Sequence, residues 1–295
     1  MAKKIEIPDQ IKQELPQNFW GKILSVTPII MTVIATLLAG LASSEMTKAQ
    51  YDRSLAAQLQ SKAGDQWGYY QAKKLRSALA RNSLDLLAAS VDVTPLAESA
   101  LPGVEPSAAA ALLRNELPPA TLPTLPADVQ TSLDRLVNMR PETEIAEVLT
   151  KVNPATLVRS LADAQAVALQ FDDAMKPISQ AVDKLDDLLM KGDRGVYRSL
   201  SAARLRFTAA RYEVESRLNM TIAGIYELQV RQGNYSAEKH HARSGKFFMG
   251  MLAAQMAVII STFALAARKH SLLWSVAAAA GAAAVVFSVY VYLCV

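Results

Sequence analysis

The chain has 295 residues, 51% hydrophobic and 20% charged, with 31 Lys and Arg against 27 Asp and Glu, for a formal net charge of +4. Three histidines (His240, His241, His270) and one cysteine (Cys294) leave no room for a disulfide framework or a Cys-x-x-Cys-His haem attachment, and they argue against a Cys/His zinc site. The apolar residues are bunched into three stretches without Asp, Glu, Lys or Arg, Ile23 to Ser44, Phe247 to Ala267 and Ser271 to Val295, each near or above the roughly 20 residues that cross a bilayer as a helix.

In chain order, residues 1–22 form a basic N-terminal segment with Lys3, Lys4, Lys12 and Lys22, and residues 23–44 the first transmembrane helix. Pro28, tolerated in a membrane helix, predicts a kink near its start; Thr27, Thr32 and Thr36 dilute its apolarity. The small-residue run Ala39-Gly40-Leu41-Ala42-Ser43 resembles a cleavage site. The segment before it nevertheless carries acidic residues and two prolines, and the apolar run exceeds the roughly 7 to 15 residues of a signal-peptide core, so the segment reads as an uncleaved anchor.

Residues 45–90 predict one long helix: no proline, and strong helix formers including Leu55, Leu59, Leu75, Leu79, Leu84, Leu86 and Leu87. At its centre, Gly64 and Gly68 each cost about 1 kcal/mol relative to alanine, which predicts a close backbone approach there. Trp67, Tyr70 and Gln71, three and four residues apart, share a helix face with that glycine strip beside them. This reads as a helix-crossing interface anchored by Trp67; a ligand pocket is the alternative.

Residues 91–153 hold prolines at 95, 102, 106, 118, 119, 123, 126 and 141, which preclude a single helix. Residues 107–117, 127–138 and 142–152 each follow closely on a proline suited to a first helical turn, predicting a helical insert rather than a linker. Residues 154–246 predict a helical hairpin. Leu157, Leu161, Phe171, Met175, Ile178, Val182, Leu185 and Leu189 form one apolar stripe, and Leu200, Phe207, Val214, Leu218, Ile222, Ile225 and Leu228 the other. The segment Lys191-Gly192-Asp193-Arg194-Gly195 is a turn signal between them, and antiparallel coiled-coil packing satisfies both stripes.

Residues 247–267 and 271–295 are the second and third transmembrane helices. Gly250, Ala253, Ala254 and Ala257, and Ala277 to Ala284 around Gly281, are small residues at spacings that allow close helix crossing. Gln255, the strongly polar side chain of these two spans, fits a hydrogen bond across a helix interface. The loop Arg268-Lys269-His270 falls on the same side as the N-terminal lysines, which predicts a cytoplasmic N-terminus and a periplasmic central domain; the basic run Lys239 to Lys246 weighs the other way.

Catalysis finds little support. The histidines lie beside the membrane spans, away from any Ser or Cys nucleophile arrangement, and neither phosphate-cradling glycine motif is present. Asp172-Asp173, Asp186-Asp187 and the Glu142/Glu144 cluster read as solvated faces, and the pair His240-His241 as interfacial side chains. The arginines at 198, 204, 206, 211 and 217 are interrupted by Glu213 and Glu215, and beyond Tyr197, Phe207 and Tyr212, of which Phe207 fits the core stripe, no stacking aromatics interleave with them, which predicts a solvated flank and no nucleic-acid partner. Absence of ionisable residues from all three spans disfavours a proton or ion pathway, although a homo-oligomer lined by Ser and Thr keeps an oligomeric channel or transporter-like protein as the alternative.

The stretch Ala63-Gly64-Asp65-Gln66-Trp67-Gly68-Tyr69-Tyr70-Gln71-Ala72-Lys73 resembles an uncharacterised bacterial membrane family, domain of unknown function 4337. Phe247 to Gln255 and Ser271-Leu272-Leu273-Trp274 are similar to it as well. The resemblance implies an N-terminal span, a helix bearing this motif, a variable helical middle and two closing spans. It implies no activity, cofactor or catalytic residue, and the proline-rich middle departs from the shorter members.

The sequence therefore predicts an all-α protein with three transmembrane helices, a long extramembrane coiled-coil domain and a proline-rich helical insert. The expected role is structural or scaffolding rather than enzymatic, without metal or cofactor, in the bacterial inner membrane. The expected partners are the lipid bilayer and either a second copy of the chain or another membrane protein. Candidate interface residues are Gly64, Trp67, Gly68, Tyr70, Gln71, Gly250, Ala254, Gln255 and Gly281.

Overall fold

A computed structural model describes residues 19–96, 106–120, 124–189, 194–266 and 272–294. The expected turn at Lys191 to Asp193, the loop Arg268-Lys269-His270 and the lysines at 3, 4 and 12 lie outside the described residues, as do the side chains of Lys22, Trp274 and Cys294. Seven helices and no strand occur among the described residues: α1 (Phe19–Ser90), α2 (Pro106–Arg114), α3 (Ala127–Val137), α4 (Glu142–Leu149), α5 (Pro154–Leu189), α6 (Arg194–Ala266) and α7 (Leu272–Cys294). Three of them, α1, α6 and α7, contain stretches long and apolar enough to cross a membrane.

Pro28 and Pro177 both lie inside continuous helices. The hydroxyls that dilute the apolar stretches are satisfied on their own helices: Thr32 donates to the Pro28 carbonyl, Thr36 to that of Thr32, Thr262 to that of Val258 and Ser288 to that of Ala284. Such back-bonding removes the cost of an unpaired hydroxyl in an apolar setting.

The chain divides into two units, residues 1–54 with 234–295, and residues 55–233. In the first, each long helix buries a narrow, alanine-rich stripe: Ala35, Leu38, Ala42 and Ala49 on α1, Phe247, Ala254, Ala257 and Ala264 on α6, and Ala277, Ala284 and Val291 on α7. These meet in a cluster built from Ala35, Leu38, Ala42, Phe247, Ala254, Ala284 and Val291. Spacings of three, four and seven residues keep each stripe on one side of its helix.

In the second unit α6 is the central element, with residues 221–226 buried without interruption. Ala63 of α1, Ala164 of α5 and Ile222, Ile225 and Tyr226 of α6 form one core cluster. A second joins Ala109 and Leu112 of α2, Phe171 and Met175 of α5, and Leu200, Phe207 and Leu218 of α6. The proline-rich segment is thus a packed cap of short helices. Pro126 and Pro141 occupy the N-caps of α3 and α4 with φ near the value their rings impose. Asn115, at φ 57°, ends α2 while the Glu116 N–H reaches back to the Ala111 carbonyl, and Met139, at φ 52°, follows α3 in the same way with Arg140 bonding Arg135. Proline spacing locates these helices; Asn115 is of a type that tolerates the left-handed conformation, whereas the left-handed Met139 is not evident from residue type.

Candidate functional site

The Trp67 motif sits on the α1 segment of the second unit. From Ala56 to Leu87 the shielded positions are 56, 59, 63, 66, 70, 73, 77, 80, 84 and 87, an unbroken alternation of three and four residues, with Trp67 the one addition. This period divides the motif between two faces. Ala63 is fully buried and Trp67 and Tyr70 are half-buried, their rings meeting edge to face at 5.7 Å and 81°. Gly64, Gly68 and Gln71 point away and are exposed. The close approach expected at the two glycines is not made among the described residues, since a Cβ at either would meet none of their atoms within 4 Å. The reason is rotational: at 100° per residue Gly64 and Gly68 turn away from the stripe that Ala63 and Tyr70 set.

The end of the motif binds α1 to α6 through a charged cluster. Lys73 pairs with Glu215, which also takes Arg211 at 2.5 Å, and Lys73 lies 5.1 Å from the centre of the Tyr212 ring. Lys74 donates to Glu213 at 2.9 Å, with Arg81 and Arg217 further out on the same carboxylate. The Lys74 hydrogen bond, opposed by burial and assisted by the charges of Lys74, Arg81 and Arg217, holds the Glu213 carboxyl below its ordinary range. Beside them the buried Ser77 hydroxyl donates to the Ala209 carbonyl at 2.9 Å. Each cation here has an anion or ring to bind, so the cluster acts as a clamp between helices. The arginines of α6 at 211 and 217 brace the clamp's acceptors from their own helix, Arg211 pairing with Glu215 and Arg217 with Glu213 four residues away; only the partners Lys73 and Lys74 require α1 and α6 to be side by side.

Glycine does enable close crossing, at positions sequence spacing identified only in part. A Cβ at Gly250 would lie 3.0 Å from Ser288 Oγ and 3.4 Å from Leu38 Cδ1, so α1, α6 and α7 converge there. At Gly281 it would collide with the Met31 thioether. Ala254 is fully buried in the same cluster, whereas Gln255 next to it is exposed. In the second unit Gly224, which periodicity did not single out, accepts Leu133 of α3 in the space a Cβ would fill. Only the docking of α3 makes that glycine necessary.

At the polar end of the first unit's apolar stripe, Glu45 is 8% exposed and binds Lys48 at 2.8 Å and His240 Nδ1 at 2.6 Å. One turn further along α6, the buried Ser244 hydroxyl donates to the Ala42 carbonyl at 2.7 Å. His240 is therefore engaged by a carboxylate, while His241 is exposed. Among the described residues no group of three His, Cys, Asp or Glu side chains converges to hold a metal.

Residues 20–110 match the model of a family described as a domain of unknown function (DUF4337). That stretch takes in the first apolar span and the whole Trp67 motif, one of the three segments on which the resemblance rests. The proline-rich middle beyond residue 110, Phe247 to Gln255 and Ser271 to Trp274 lie outside it. No curated protein and no solved structure matches the chain.

Proposed function

We propose that this is an integral protein of the bacterial inner membrane that acts as a structural or scaffolding element, without catalysis of its own, either as a homo-oligomer or as an accessory subunit of a larger membrane complex. The observation that carries the reading is Gln255. Its side chain is exposed on an otherwise apolar stretch of α6 whose buried stripe already packs against α1 and α7. A carboxamide facing hydrocarbon is costly, and the established remedy is a hydrogen bond to another membrane helix. Only 22%, 33% and 28% of the three apolar stretches is buried, which leaves ample helix surface for such a neighbour as well as for lipid. The lysines before residue 23 and the Arg268-Lys269 pair support a cytoplasmic N-terminus and a periplasmic second unit packed as a coiled coil.

Mass measurement after purification in mild detergent, with identification of everything that co-purifies, tests the proposal. An oligomer or a stable partner is expected, and Gln255→Leu should weaken association roughly threefold to twentyfold, the range of interhelical hydrogen bonds in membranes. A clean monomer without partners would end the scaffold reading. Gln255 also fits the lumen of an oligomeric channel; ion flux in liposomes that is lost in Gln255→Leu would favour that function instead.

A further inference from the structure

In the second unit α1 carries another apolar stripe, on the face turned away from its buried one. Gly68, Ala72, Leu75, Leu79, Leu86 and Ala89 recur at heptad spacing, with Asn82 the one polar position among them. All are exposed, Leu75 by 61%, Leu79 by 54% and Leu86 by 72%. Three leucines in line on one helix face are a contiguous apolar surface of the kind that marks an interaction site.

We propose that this stripe is where a second copy of the chain docks, the two α1 helices running parallel and in register. The inference rests on the membrane homo-oligomer reading above, and that reading fixes the geometry. Two copies inserted in one bilayer with the same orientation are related by a rotation about the membrane normal, so each residue is level with its own counterpart. Leu75, Leu79 and Leu86 then meet themselves, and Asn82 meets Asn82, a polar pair that penalises slipped registers. The flanks are compatible. Parallel pairing sets Gln71 beside the copy's Arg76, Ala78 beside its Ser83 and Asp85 beside its Ser90, so no like charges oppose one another although Lys73, Lys74 and Arg81 lie on the same helix. Gly64 falls opposite the copy's Tyr69, whose ring is 56% exposed, and the missing side chain makes room for it. The exposed glycines of the motif thus gain the close approach that is absent among the described residues of one chain. Co-insertion raises the local concentration, so a short seam suffices.

Single cysteines placed at Leu75, Leu79 or Leu86 in full-length Cys294→Ser protein, oxidised with copper phenanthroline in native membranes, read the seam directly. Dimers should form efficiently at all three, and poorly from Lys74→Cys and Leu84→Cys, which lie off the stripe. Leu79→Asp should weaken association in detergent about tenfold or more, as expected for a lost buried leucine, without lowering the melting temperature of the second unit. An oligomer by mass that fails to cross-link at these positions would overturn the seam and leave the homo-oligomer reading intact. A monomer by mass would overturn both. Cross-linking at Leu75 but not at Leu86 would refute in-register parallel pairing.

Discussion

Leu112→Ala tests whether the proline-rich segment is part of the fold. Leu112 is 1% exposed on α2, in the cluster with Phe171, Met175, Leu200, Phe207 and Leu218. Truncation removes three carbons, about 2.4 kcal/mol at roughly 0.8 kcal/mol per buried methylene. The residual cavity adds to this, and Leu→Ala changes in cores span about 2–5 kcal/mol. An upper limit comes from the local architecture: α2 is only 9 residues long, so when the void costs more than its docking free energy the helix lifts off instead. The expected loss is about 2–4 kcal/mol in the unfolding of the second unit. Trp67 lies in that unit and serves as the fluorescent probe in a Trp20→Phe, Trp274→Phe background, with urea titration in detergent. Met139→Ala, at a side chain 91% exposed, is the control and should change stability by less than about 0.5 kcal/mol. If Leu112→Ala behaves like that control, α2 is not docked and the second core cluster is misassigned.

The clamp between α1 and α6 makes stability depend on acid. Because the folded carboxyl of Glu213 titrates below its unfolded value, its contribution is fully present above the ordinary carboxylate range and is lost as pH falls through the folded value. Urea midpoints measured from pH 6 down to pH 3 should fall less steeply in Glu213→Gln, and an unchanged slope would remove Glu213 from the clamp. At the three-helix crossing, Gly250→Leu should cost about 1–3 kcal/mol by overpacking against Ser288 and Leu38, seen as a lower melting temperature in detergent; Gly40→Ala, in the same unit with open space at its Cβ, should leave the same transition unchanged or raise it.

Sequence alone determined the helical class and the three apolar stretches, because both follow from local quantities. Helix propensity, proline positions and uncharged runs of about 20 residues carry their meaning without knowledge of neighbours. The short helices of the insert were legible for the same reason, since proline fixes φ at a helix start. What the sequence left open was orientation about each helix axis. Leu55, Leu75, Leu79 and Leu86 read as helix formers with no face assigned, and all four are exposed, while Ser77, Glu45 and Lys73 lie on the inward stripe. An alanine-rich helix has no steep apolar gradient around its axis, so its side toward the core is chosen by its neighbours: Ser77 by the Ala209 carbonyl, Glu45 by His240, Lys73 by Glu215. The glycines follow the same logic. Gly224 and Gly250 are needed because another helix arrives there, and Gly64 and Gly68 meet none of the described residues, so their use is decided by tertiary and quaternary packing rather than by the residues around them.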